Sequence, residues 1–339
     1  MKNPIALATT TALLFAVGCA SAQSDVATAE QPVDARLASD AASERPDRDG
    51  FDVFVSPADV LSLQDAGAVV IDVRAPEEYA DAHIPRSINI PGNSLRTPSA
   101  KPGLGDSQYI FRDADGGADI AKYEQILGNA GLTRGDTVVV YGNHAGKGDG
   151  SVPAMLLDFL GQEEVHFLDG VGMSEWYAAG HEVSTDSTTR DATTYTAEPR
   201  EGFLWNLDDV VAHVGDGSAI FYDTRSVDEF NGKELRDNAR GGRIPGAVHA
   251  DYAELLDDQK RVLPREQIEE ILEAQGLPAA KAAGKPIVLY CQTSTRVSLP
   301  YLVLRELGYD TVAVYDASWH EYGNREDTPI DGETRASAE

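Results

Sequence analysis

The residues around Cys291 could do thiol chemistry. The apolar run Pro286-Ile287-Val288-Leu289-Tyr290 reads as a buried strand, and Val297 to Leu307 as a helix. Between them lies the six-residue stretch Cys291-Gln292-Thr293-Ser294-Thr295-Arg296. A thiol at a strand-to-helix turn meets backbone N–H groups that have no intrahelical partner, and the positive end of the helix dipole. Both favour thiolate over thiol, and the thiolate is the nucleophile. A loop of this length can curl its N–H groups around one sulfur anion, as a backbone nest does. The outer sulfur of a persulfide would gain the same stabilisation. Arg296 adds a fixed positive charge and a fork of donors suited to a sulfonate- or sulfate-like group. Its competing role is a salt bridge that only holds the loop.

The chain has 339 residues, enough for roughly two domains, and two cysteines. The second, Cys19, lies in a segment that reads as an export signal. Lys2 supplies a positive start, and Ile5 to Val17 is apolar but too short to span a bilayer. Phe15-Ala16-Val17-Gly18-Cys19 resembles a bacterial lipobox, with Cys19 as the lipidated first residue; Ala20-Ser21-Ala22 resembles an ordinary cleavage site with Gln23 first. The rarity of cysteine and its place after Gly18 favour lipidation at Cys19, hence a periplasmic protein tethered to a membrane. Residues 1–22 are thus read as a signal and 23–50 as a flexible acidic tether, too poor in large apolar side chains to order itself. Either cleavage leaves Cys291 without a disulfide partner, despite an oxidising compartment. The formal charge of −28 argues against nucleic acid as a partner and suits a soluble monomer. The seven histidines show no close pairing, so no metal site is expected, and no glycine-rich phosphate loop or other cofactor motif occurs.

The elements that must position Cys291 occur twice. Ser56-Pro57 is a helix start, followed by a strand over 68–73, a helix over 121–130, a strand over 137–141, a helix over 152–160 and a strand over 165–168. The second half repeats the order: helix 207–214, strand 219–223, helix 265–275, strand 287–290, helix 297–307, strand 311–315. Strands alternating with helices imply parallel sheets covered on both faces. Asp72-Val-Arg74 with Glu78-Tyr79 matches Asp223-Thr-Arg225 with Glu229-Phe230 at identical spacing. His83-Ile84-Pro85 matches Arg243-Ile244-Pro245, Tyr141-Gly142 matches Tyr290-Cys291, and Ser151-Val-Pro153 matches Ser298-Leu-Pro300. Leu168-Asp169-Gly170 with Glu175-Trp176 matches Tyr315-Asp316-Ala317 with Glu321-Tyr322. Ordered matches over this length imply duplication. The expected domains are 51–185 and 203–330, joined by a polar linker over 186–202 and followed by a flexible tail over 331–339.

These residues resemble the tandem-domain rhodanese, or sulfurtransferase, family. Gly242-Arg243-Ile244-Pro245-Gly246-Ala247 is the clearest copy of its first signature, and Asp169-Gly170-Val-Gly172-Met-Ser-Glu175-Trp176 is similar to its closing one. Cys291-Gln-Thr-Ser294-Thr-Arg296-Val-Ser298 is similar to the family's Cys-Arg-x-Gly-x-Arg-x-Ser loop. The resemblance implies an α/β fold of two doubly wound domains, an inactive first and a catalytic second. It implies a ping-pong mechanism in which Cys291 takes a sulfane sulfur from a small anionic donor and passes it to cyanide or a thiol. It also implies that Arg225 and Arg243 hold the donor's anionic end, against a competing role for Arg225 in pairing with Glu229 or Asp223. Gln292 and Ser294 depart from the pattern. Thiosulfate is the expected donor, with 3-mercaptopyruvate as alternative, although the latter's Cys-Gly-x-Gly-Val-Thr loop is absent.

In the first half Gly142 stands where the thiol would be, and His144 and Lys147 are the only reactive or charged side chains of that loop worth weighing. Two rivals remain. A phosphatase or arsenate reductase on the same scaffold needs a larger loop than the four residues separating Cys291 from Arg296. A sulfur-binding module without turnover would keep the loop but not the onward transfer.

Overall fold

The computed structural model describes residues 51–98, 108–111, 117–143 and 150–336. Cys19, the tether, His144 and Lys147 lie outside the described residues. The first domain contains β1 (Phe54–Val55), α1 (Pro57–Asp65), β2 (Val69–Asp72), α2 (Pro76–Asp81) and β3 (Ile88–Asn89). A short pair, β4 (Thr97–Pro98) and β5 (Gln108–Tyr109), precedes α3 (Ile120–Asn129), β6 (Thr137–Tyr141), α4 (Ser151–Phe159), β7 (Glu164–Leu168) and α5 (Met173–Ala178). The second domain contains β8 (Leu204–Trp205), α6 (Leu207–His213), β9 (Ile220–Asp223), α7 (Val227–Phe230), β10 (Arg240–Arg243) and β11 (Val248–His249). It continues through α8 (Arg265–Ala274), α9 (Leu277–Ala282), β12 (Ile287–Tyr290), α10 (Ser298–Glu306), β13 (Val312–Tyr315), α11 (Ser318–Tyr322) and β14 (Asp331–Arg335).

Each domain holds one five-stranded parallel sheet. The orders are β1-β7-β6-β2-β3 and β11-β9-β12-β13-β8, the same topology twice. The central strands read as unbroken apolar runs because both faces are covered; Ile287 to Tyr290 are all buried. Local chemistry fixes the ends. Ser56 caps α1 through Asp59 N at 3.2 Å, Asp59 returns the bond to Ser56 N at 2.8 Å, and Pro57 occupies the first turn. Pro153 and Pro300 sit at the third residue of α4 and α10, where a backbone N–H has no intrahelical acceptor to lose.

The two domains share a core. One apolar cluster runs from Phe54 and Val140 in the first to Leu289 and Val314 in the second. Phe111 and Phe159 meet Phe203 at 4.8 and 4.6 Å between ring centres, and Phe203 meets Tyr301 at 5.1 Å. Residues matched by the sequence repeat face each other. Ser151 Oγ lies 2.7 Å from Ser298 Oγ. Asp169 of the first domain accepts from Val262 N at 3.0 Å; its counterpart Asp316 of the second accepts from Ile110 N and Phe111 N at 3.2 and 3.1 Å. The interface is therefore pseudo-two-fold, self-complementary in the manner of an isologous dimer.

One boundary expectation changes. The tail is not loose over its first residues: β14 pairs antiparallel with β10, Arg240 opposite Arg335 and Arg243 opposite Asp331. All five β14 residues are exposed, so no apolar pattern marked the strand. It is held by backbone pairing to a glycine track, where a Cβ on Gly242 (φ +115°) would stand 2.6 Å from Asp331 O. The linker over 186–202 has no regular structure. It nevertheless lies against the first domain: Thr193 N donates to Gly128 O, and Glu198 N to Leu160 O, both at 2.9 Å.

Candidate active site

Cys291 leaves the carboxyl end of β12, which lies in the middle of its sheet between β9 and β13. Ligands of open α/β sheets gather at that edge. The loop from Cys291 to Val297 is anchored by α11. Ser318 Oγ accepts from Cys291 N and Ser294 N, both at 3.2 Å, and donates to Tyr315 O at 2.9 Å. Trp319 N donates to Cys291 O at 2.9 Å and His320 N to Gln292 O at 3.0 Å. Ser294 (φ +56°) and Ser318 (φ +53°) both hold left-handed backbone. That conformation disfavours residues with a Cβ, and the dense hydrogen bonding over-determines it. Ser294 Oγ reaches Asp316 O at 2.7 Å, a bond that Gly at this position could not make.

With Cys291 N and Ser294 N engaged, the N–H groups of Gln292, Thr293, Thr295 and Arg296 have no acceptor among the described residues. The loop thus keeps a set of donors for an anion. Arg296 does two things at once. Its Nη1 and Nη2 donate to Glu229 Oε2 and Oε1 at 2.6 and 2.8 Å. Burial works to lower its pKa, but the bonds to Glu229 and the charge and hydrogen bonding of Cys291 hold it above its ordinary value. The salt bridge and the electrostatic influence of the thiol on Arg296 are therefore concurrent. Glu229 is 1 % exposed. Burial pushes its carboxyl up, yet the Arg296 fork, Ser226 and the Arg236 charge outweigh it and hold the carboxyl at about 2.

Both arginines expected to hold the donor are engaged within the fold. Arg225 is 1 % exposed. Its Nη2 sits 2.6 Å from Asp223 Oδ2 and donates to Gly242 O at 2.7 Å, and its guanidinium lies 4.3 Å from the Trp319 ring centre. Arg74 repeats the fork on Asp72 in the domain without a thiol, so the motif fixes the loop after the strand. Asp72 and Asp223 are accordingly capping residues. Arg243 stacks over Phe230 at 4.5 Å and donates to Phe230 O at 3.5 Å; none of these contacts is with the Cys291 loop.

Other polar residues adjoin the Arg296–Glu229 pair and the loop. Arg236 Nε is 3.5 Å from Glu229 Oε1, with its side chain half-exposed. Tyr252 feels the charges of Arg296, Cys291 and Arg236; burial dominates and raises its pKa. Asn238 Nδ2 donates to Gln292 Oε1 at 3.1 Å, and Gln292 Nε2 donates back to Asn238 Oδ1 at 3.0 Å. The substitution of an amide for a cation at 292 is thus matched by a partner amide. Arg236 and Asn238 lie in the irregular stretch between α7 and β10, where a single sequence carries no periodic signal. Two consecutive left-handed residues, Arg236 (φ +48°) and Asp237 (φ +61°), shape that stretch.

Cys291 itself is 1 % exposed and unpaired as a disulfide. One flank belongs to the apolar core and the other to Arg296 and its partners. In the first domain Gly142 takes its place, and Gly142 O packs against Gly172, where a Cβ would clash at 1.8 Å. Asn143 Nδ2 there donates to Glu78 Oε1 at 2.7 Å, so the counterpart of Glu229 is bound to an amide instead of an arginine. Among the described residues no cluster of three or more His, Cys, Asp or Glu could hold a metal.

Comparison with known proteins identifies the family. The chain matches the rhodanese-like domain over residues 56–179 and again over 206–325. It is 29% identical over 282 residues to a thiosulfate sulfurtransferase of Azotobacter vinelandii, covering 82% of this chain and 97% of that protein. It is 31% identical over 222 residues to a putative thiosulfate sulfurtransferase of Mycobacterium tuberculosis (strain ATCC 25618 / H37Rv), covering 63% of this chain and 77% of that protein. Among solved structures it resembles the anaerobic ergothioneine biosynthesis enzyme from Chlorobium limicola in fold, with TM-score 0.69, 21% identity, and coverage of 86% and 72%.

Proposed function

The chain belongs to the rhodanese-like family and is a sulfurtransferase, and from that premise we propose that it moves a sulfane sulfur from thiosulfate to cyanide or a thiol through a persulfide on Cys291. The observation that carries this reading is a buried thiol, Cys291, on a loop whose N–H groups at 292, 293, 295 and 296 have no acceptor among the described residues and whose Arg296 is held in the Glu229 fork. In the first half-reaction the Cys291 thiolate attacks the outer sulfur of thiosulfate. The Sγ–S bond forms, the donor's S–S bond breaks, and sulfite leaves with the electron pair. The loop N–H groups and Arg296 then face the outer sulfur of the persulfide, where negative charge resides. In the second half-reaction cyanide or a thiolate attacks that sulfur, and Cys291 leaves as thiolate.

Arg236 is the cation that takes over the donor-binding part expected of Arg225 and Arg243. It is half-exposed beside Glu229, so a dianionic donor can meet it at the mouth before reaching the buried thiol. Export through residues 1–22 and lipidation of Cys19 belong to the same reading and rest on the leader alone.

The test is Cys291→Ser. Thiocyanate formation from thiosulfate and cyanide is expected to vanish, with the thermal melt unchanged, and intact-mass analysis of the wild type after thiosulfate should show one added sulfur that cyanide removes. A Ser variant with full activity overturns the proposal.

A further inference from the structure

We propose that the first domain, which has no thiol, sets the geometry of the catalytic loop, and that Arg96 and Ser151 are its positioning residues. The inference deepens the persulfide reading and rests on it for what the loop does.

Three contacts cross from the first domain to the loop. Arg96 Nη2 donates to Thr295 Oγ1 at 3.3 Å. Arg96 is itself pinned through its backbone: its N donates to Asn93 O at 3.2 Å, and its carbonyl accepts from Lys122 Nζ at 2.7 Å. The second contact is a relay. Ser298 Oγ donates to Thr295 O at 2.8 Å. A hydroxyl has one hydrogen, so the 2.7 Å bond between Ser151 and Ser298 must be donated by Ser151. The third passes through Asp316, whose carboxylate is fixed by Ile110 N and Phe111 N and whose carbonyl accepts from Ser294 Oγ.

Thr295 is thus gripped at its side chain and at its carbonyl, immediately before Arg296. A peptide unit is planar and trans. Holding the Thr295 carbonyl therefore also aims the Arg296 N–H in the opposite sense. That N–H is one of the four loop donors with no acceptor among the described residues. The first domain in this way orients a donor that it does not itself supply. It also restrains the segment from which the Arg296 side chain reaches Glu229 and the thiol.

The experiment compares Arg96→Met, Arg96→Lys, Thr295→Val and Ser151→Ala in the full chain. Each is read by steady-state sulfur transfer, by the pH profile of Cys291 alkylation with iodoacetamide, and by thermal melt. Arg96→Met and Thr295→Val are expected to lower kcat about 10-fold with KM for thiosulfate changed less than about 2-fold, as for a lost orienting contact. Both should also move the alkylation midpoint upward, because the thiolate loses an aimed donor. Arg96→Lys should recover part of the loss, and Ser151→Ala should cost about 2- to 3-fold, since Ser298 still holds the carbonyl. Thr295→Val leaves Arg96 in place, so a folding defect at Arg96 cannot account for agreement between the two. Wild-type kcat and wild-type alkylation profiles in both Arg96→Met and Thr295→Val overturn the proposal. If the wild type moves sulfur from no donor, the persulfide reading fails instead, and the alkylation profiles still decide the positioning role.

Discussion

Glu229 decides what Arg296 can do. An arginine five positions after a cysteine was legible as a candidate anion ligand; the carboxylate that orients it lies in another segment and was legible only as part of a repeated spacing. The two-point fork holds the guanidinium in one plane while leaving it beside the thiol. Glu229 also makes a pH prediction. Its carboxyl titrates at about 2 in the fold against an ordinary value of 4.5, so the folded state binds this proton less readily than the unfolded chain. The stability it contributes is fully present above pH 4.5 and is lost as pH falls towards 2. Glu229→Gln is expected to cost on the order of 3 kcal/mol at neutral pH. The difference from wild type should close in denaturant melts taken at successively lower pH, and a gap that stays constant from pH 7 to 3 would count against this account. Arg225 teaches the opposite lesson. Its side-chain type suits a thiosulfate dianion equally well, but Asp223 two residues earlier captures it inside the fold.

Among the elements, the long helices and central strands fall within a residue or two of where the apolar pattern places them. The short ones do not announce themselves. β14 is Asp-Gly-Glu-Thr-Arg with every residue exposed, a composition that reads as loose tail. It becomes a strand because Gly241 and Gly242 on β10 let a second backbone come close. Gly242 also supplies the carbonyl that holds Arg225. Gly242→Ala therefore places a Cβ against Asp331 O at a left-handed φ. The expected cost is about 2 kcal/mol or more, read by thermal unfolding, with faster backbone amide exchange over 331–335. Unchanged exchange there would show that β14 is held by other contacts.

For the molecule as a whole, duplication has produced a self-complementary interface whose two halves now have different duties. Asp169 and Asp316 make equivalent bonds across it, each to backbone N–H of the other domain. Only Asp316 also carries the catalytic loop, through its carbonyl and Ser294. Asp169→Asn and Asp316→Asn are both expected to destabilise by about 1.5–3 kcal/mol, the range for a hydrogen bond to a charged group. Asp316→Asn should in addition lower kcat several-fold, whereas Asp169→Asn should leave kcat near wild type. Equal effects of the two on kcat would mean that the domains respond as one body and that the loop has no privileged connection to its side of the interface.

The duplication, the parallel α/β class of each half and the identity of the thiol are properties of residue type and spacing along the chain, and they follow from periodicity and from which residues recur. Which arginine serves the anion, what closes the cradle and what holds the last strand depend on side chains distant in sequence that compete for the same partners. Asp223 wins Arg225, Glu229 shares Arg296 with Cys291, and Gly241 and Gly242 admit β14. Such competitions are settled by distances of a few ångströms between segments, and no local pattern encodes them.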